Sequence, residues 1–255
     1  MEFLKPNLIN TTSSIVVDNN TITSGYVLDR DLTFQYVTEG RDDDSTSATM
    51  TLNFDETTTL NRMAIMGHNL KAYTVYYNGN TATTLSLTSG PTVASDYSSN
   101  SETSQYLQFN DINCTSVSIQ LKSTIEADNE KALGYVMLSE QKLDFSRIPP
   151  ANGYRPRITP DQVVHKLADG GTRIHTTGKK FSVQIKYKNL DETFTNSLRD
   201  LYDEYSSVIY VAFGTATAWD KILHDVVWPG KFEFLRYSDN AVEAGRTGSI
   251  DLRET

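Results

Sequence analysis

The sequence predicts a mainly β protein built from two units, an N-terminal jelly-roll sandwich and a smaller, β-rich C-terminal α+β module with one helix. Three observations carry this. From Thr11 to about Thr124 the chain is rich in Ser, Thr and Asn, and its apolar residues alternate with polar ones at the period of a half-buried strand. The stretch Phe145 to Asp161 (FSRIPPANGYRPRITPD) then interrupts the pattern with four prolines, which exclude continuous helix or interior strand. Beyond it, one segment alone, Asp191 to Tyr205, takes up the 3.6-residue period of an amphipathic helix.

The elements follow in chain order. Thr49 to Phe54 (TMTLNF) sets Met50, Leu52 and Phe54 on one face, and Ser116 to Lys122 (SVSIQLK) does the same with Val117, Ile119 and Leu121. Further strands are expected at Arg62 to Met66, Tyr73 to Tyr77, Leu85 to Thr88, Tyr106 to Asn110 and Gly134 to Ser139. Asn78-Gly79 marks a tight turn, because both residues tolerate positive φ. Short strands joined by polar turns point to a sandwich or jelly roll over residues 1–145. Ser89 to Gln105, nearly free of apolar anchors, reads as an exposed loop.

The proline-rich residues 146–161 read as a linker, with the second module over 162–255. There Lys180 to Tyr187 (KFSVQIKY) alternates Phe181, Val183, Ile185 and Tyr187 in one strand. Asp191 is placed as helix N-cap, and Phe194, Leu198, Leu201, Tyr202 and Tyr205 as the buried stripe of a helix near 192–205. Val208 to Phe213, Lys231 to Tyr237 and Gly248 to Arg253 supply the remaining strands.

Composition narrows the function. The 255 residues carry 23 Lys+Arg against 32 Asp+Glu, a net charge of -9, so a phosphate-backbone binder lacks its basic surface and no nucleic-acid partner is expected. There is no basic segment followed by an apolar signal run at the N-terminus and no apolar stretch of spanning length, so neither secretion nor membrane insertion is expected. The single cysteine, Cys114, cannot form a disulfide framework within the chain or a thiolate metal site alone. Its setting, Asn113-Cys114-Thr115 between two strands, reads as a buried small residue.

No catalytic or metal-binding pattern stands at a recognisable spacing in the sequence. His68, His165, His175 and His224 share no spacing that would place two imidazoles on one helix face. Gly170 to Lys180 (GGTRIHTTGKK) ends in Gly-Lys but lacks the glycine spacing and hydroxyl of a phosphate loop, and reads as a turn leading into a strand. The run Asp42, Asp43, Asp44 after Arg41 offers oxygen ligands, but three adjacent carboxylates lack the spacing of a calcium loop. No catalytic residue, no cofactor and no metal are assigned.

Thr59 to Gly79 (TLNRMAIMGHNLKAYTVYYNG) resembles the central strands of discoidin domains, the coagulation-factor C-type, galactose-binding-like jelly rolls, in which an apolar strand ends at a His-Asn-Leu-like corner before a strand and tight turn. Ala48 to Phe54 then stands as the preceding strand, Ser116 to Lys122 as the returning one and Ala132 to Leu138 as the closing one. The chain lacks the paired cysteines of many extracellular members. The later order of Leu167 to Gly171, strand, helix, Trp228 to Phe232 and Gly248 to Glu254 resembles the C-terminal module of minor tail and baseplate proteins of tailed bacteriophages.

That resemblance implies a structural protein of a virion tail or baseplate, synthesised in the host cytoplasm, homo-oligomeric and contacting other tail proteins, without catalysis. Trp228 and Tyr237 are then its docking residues. The alternative is a carbohydrate-binding module for a cell-surface glycan on the host, with Arg41, Asp42, Asp43, Asp44, Tyr77, Asn78 and Tyr97 as its candidate loop residues and the tyrosines as stacking platforms.

Overall fold

A computed structural model describes residues 2–9, 14–84, 87–89, 96–97, 99–145, 153–168, 170–205, 207–211, 223–236 and 245–255. Two compact units emerge: Asn7–Gln141, and a second made of the chain up to Pro6 with Lys142–Ala212 and Leu223–Thr255.

The first unit is a jelly-roll sandwich. Its strands are β2 (Ser14–Val17), β3 (Tyr36–Val37), β4 (Ala48–Met66), β5 (Leu70–Tyr77), β6 (Asn80–Thr84), β7 (Leu87–Ser89), β8 (Asp96–Tyr97), β9 (Ser104–Thr124), β10 (Ala132–Leu133) and β11 (Tyr135–Ser139). Two long strands organise it. The first half of β4 (48–53) pairs with 116–121 of β9, flanked by β2 on one side and β5 on the other. Past register shifts at Asn53/Thr58, its second half pairs with 104–114 of β9, between β11 and β7. Bulges bend a strand and add twist, so one pair of strands serves both layers.

Both layers close on a single core that takes Met50, Leu52 and Ile119 from one half and Met63, Ile65 and Leu107 from the other. The alternation read in TMTLNF and SVSIQLK is therefore the core face of these strands, with Met50, Leu52, Val117, Ile119 and Leu121 all fully buried. Ala48 to Phe54 is the first half of the strand that continues to Met66, not a separate one. The corner expected after Met66 is present: Gly67 sits at φ +63, and Leu70 opens β5. Asn78 (φ 55) and Gly79 (φ 65) form the left-handed pair of a type I′ hairpin turn.

The second unit holds β1 (Glu2–Leu4), β12 (Gln141–Asp144), β13 (Tyr154–Lys166), β14 (Thr172–Leu190), helix α1 (Glu192–Glu204), β15 (Val208–Val211), β16 (Leu223–Val227), β17 (Phe234–Arg236) and β18 (Arg246–Glu254). The sheet order is β12-β1-β15-β16-β18-β14-β13, with β17 on β18. Asp191 caps α1 as expected, its side chain accepting from the Phe194 N–H at 2.7 Å. The helix buries Thr195, Leu198 and Leu201 against the face of β14 that carries Val183, Ile185 and Tyr187.

Two expected boundaries move. Phe3, fully buried, meets Phe145 at 5.0 Å and Tyr210 at 5.6 Å between ring centroids, so the N-terminal strand belongs to the second unit rather than to a jelly roll starting at residue 1. The linker reading of 146–161 also fails over its C-terminal part, because 154–161 open β13; residues 146–152 lie outside the described residues. Pro156 and Pro160 are tolerated there because β13 is the edge strand of its sheet, where a missing N–H breaks no ladder.

Candidate functional site

The feature that stands out is an arm. Beyond Arg157 and its partner Ser182, β13 and the first part of β14 leave the packed sheet as a two-stranded ribbon whose turn lies between Lys166 and Thr172, and the Leu167 N–H donates to the Gly171 carbonyl at 2.8 Å. Residues 155–166 are all exposed, as are the described side chains of 172–180. The free part of β13, residues 158–166, runs for about 30 Å. Ile158 (70% exposed), Val164 (55%) and Ile174 (60%) stand in solvent, with Val163 beside them, and Val164 and Ile174 face each other directly across the ribbon.

A ribbon of two strands open on both sides is marginal in water on its own, and its apolar cross-strand pair leaves hydrophobic side chains uncovered. The sequence reading of Gly170 to Lys180 as a turn before a strand is corrected: from Thr172 it is already strand. The arm went unread because its prolines suggested a linker, and because a strand with no buried face has no alternation to show.

The expected loop residues have other work. The Asp42–Asp44 loop is folded around the fully buried Lys131, whose ammonium donates to the Arg41 carbonyl at 2.7 Å and the Asp43 carbonyl at 3.3 Å. Burial lowers the Lys131 pKa, and Asp44, Asp43 and Asp42 oppose that shift. Asp44 accepts from the Thr124 N–H at 3.0 Å and Asp43 from the Ser45 N–H at 2.7 Å, which holds the Asp43 carboxyl below its usual range. Arg41 reaches Asp18 at 3.6 Å and donates to the Ser47 carbonyl. An internal ammonium thus occupies the carbonyls a cation would need, and among the described residues no cluster of three or more potential ligands is assembled.

Tyr77 is half-buried against the jelly-roll core, so its ring is not a free stacking platform. Asn78 is spent on its turn, its Oδ1 accepting from the Thr115 N–H at 2.9 Å. Tyr97 lies in β8, opposite Tyr73, inside the stretch read as a loop; its side chain is outside the described residues. An exposed aromatic pair that the sequence reading missed sits elsewhere, Tyr26 (40% exposed) and Phe34 (54%) with ring centroids 5.5 Å apart.

In the second unit Trp228 meets Tyr202 edge-on at 5.3 Å and Phe232 at 5.6 Å. It lines a cleft of about 570 Å³ together with Lys186, Lys188, Lys231 and Asp251. Tyr237 lies outside the described residues. Cys114 is buried, and burial pushes its thiol up to about 11, which agrees with an inert core residue.

No family model matches the sequence, and no curated protein matches it. Among solved structures, similarity is found to chitosan-binding module 1 of a Paenibacillus chitosanase/glucanase (10% identity, TM-score 0.43, covering 53% of this chain and 99% of that one). It is also found to a Clostridium perfringens family 32 carbohydrate-binding module in complex with GalNAc-β-1,3-galactose (11%, 0.42, 52% and 98%). A third is the family 32 module of Clostridium perfringens NanJ in complex with galactose (10%, 0.41, 53% and 98%). None of the three is a tail or baseplate protein.

Proposed function

We propose that the protein is a structural, assembly-forming component, a jelly roll joined to an arm-bearing module that engages neighbouring subunits, in a particle of the phage tail or baseplate type. The single observation that carries the assembly reading is the β13–β14 arm, about 30 Å of ribbon exposed on both faces with an apolar cross-strand pair near its tip. The tail or baseplate assignment is supported by the resemblance of the C-terminal half. Measuring molar mass by light scattering over increasing concentration tests the assembly reading: association supports it, and a strict monomer at the highest concentration overturns it.

A second reading is glycan recognition by the jelly roll, placing it beside modules such as the chitosan-binding and galactose-complexed ones above. In this chain it rests on the Tyr26–Phe34 pair, whose exposed rings offer an apolar platform for a sugar face. A glycan array tests it: saturable binding lost in Phe34→Ala supports it, and no binding to any glycan removes it.

A further inference from the structure

Resting on the assembly reading, we propose that the arm's partner is a second copy of this chain, engaged through its acidic jelly roll. Charge carries the choice of partner. Between Arg155 and Lys180 the arm and its base hold six Lys and Arg against Asp161 and Asp169, in a chain whose net charge is -9. The jelly roll, Asn7–Gln141, holds 16 Asp and Glu against six Lys and Arg. Two copies repel as whole bodies, yet the arm of one is electrostatically complementary to the jelly roll of the other, which sets orientation and approach.

The arm's geometry suits docking near its tip. Pro156 and Pro160 guard the outer edge of β13 near its base, where strand addition would be blocked. From Asp161 to Lys166 there is no proline, and no strand pairs with that edge among the described residues. Backbone N–H and C=O groups there are placed to extend a partner's sheet while Val164 and Ile174 supply the apolar contact. The register shift between Asp161 and Gln162 bends the ribbon between guarded base and open tip. Arm and receiving surface are different patches, so the contact propagates into a ring or filament unless two copies exchange arms.

Sedimentation velocity of the intact chain and of a variant carrying Arg157→Glu, Arg173→Glu and Lys179→Glu, all exposed positions, tests the inference. The intact chain is expected to associate, with at least about tenfold weaker association on moving from about 0.05 M to about 0.5 M salt. The triple variant is expected to stay monomeric at low salt with an unchanged far-ultraviolet spectrum, and the neutral substitution Ile174→Ser to weaken association by a similar factor at both salt concentrations. If the triple variant associates as tightly as the intact chain, the arm's charge does not choose the partner and the inference fails, while the reading that the arm is covered on assembly stands. If the intact chain is a monomer under all conditions, both fail.

Discussion

Lowering the pH should destabilise the jelly roll through one buried histidine. His68 is 2% exposed at the corner between β4 and β5, with its ring edge-on to Tyr73. Its Nδ1 accepts from the Leu70 N–H at 3.1 Å, so the proton of the neutral ring sits on Nε2, which is buried without a hydrogen bond. Burial lowers its pKa from 6.5 to about 4, with Gln105 opposing. The unfolded chain takes a proton below 6.5 that the folded protein refuses until about 4, so His68's contribution is intact above 6.5 and is lost as pH falls through that window. The loss runs at about 1.4 kcal/mol per pH unit and reaches about 2 kcal/mol at pH 5. Urea unfolding at pH 7, 6 and 5, compared with His68→Asn, isolates it, because asparagine keeps an acceptor for the Leu70 N–H and does not titrate. The stability difference between the two proteins should shift by about 2 kcal/mol between pH 7 and 5. A difference that stays flat refutes the burial argument.

Other outcomes follow from the same structure. Lys131→Met leaves the Arg41 and Asp43 carbonyls without their donor and should cost about 1–3 kcal/mol in denaturant unfolding, and millimolar calcium should leave the melting temperature of the unaltered protein unchanged. Gly67→Ala forces a side chain into φ +63 with its Cβ 3.2 Å from Leu32 Cδ2, for an expected loss of about 1–2 kcal/mol by the same assay. Asp191→Ala removes the cap on the Phe194 N–H and should cost about 1 kcal/mol. Cys114 should resist a thiol reagent in the folded protein and react only at the unfolding rate; stoichiometric reaction in native buffer would contradict its burial.

Which of these features could be read in the sequence follows from what each element buries. Met50, Leu52, Val117, Ile119 and Leu121 were legible because each strand half has one wet and one dry face, and period-two alternation records that difference. The helix was legible for the same reason at its own period, with Leu198 and Leu201 inward and Asp191 as its cap. The continuity of β4 from Ala48 to Met66 was not, because Asp55, Glu56 and Thr57 at its bend are exposed and look like a turn. β1 is three residues long, too short for any period, and its place is decided by Phe145 and Tyr210 far along the chain. Asp42 to Asp44 looked like a ligand loop because the buried ammonium that organises it comes from Lys131, some ninety residues later. The arm was hidden most completely, since two prolines that read as a linker are the guards of an edge strand.

The central claim is that the arm is covered when the protein assembles. Amide hydrogen exchange followed by mass spectrometry, at concentrations below and above the onset of association, tests it directly. Peptides spanning 158–166 and 172–180 should exchange fast when dilute and become protected as the assembly forms, while those of the jelly-roll core strands stay protected throughout. Assembly that forms while both arm peptides keep exchanging at the dilute rate would contradict it.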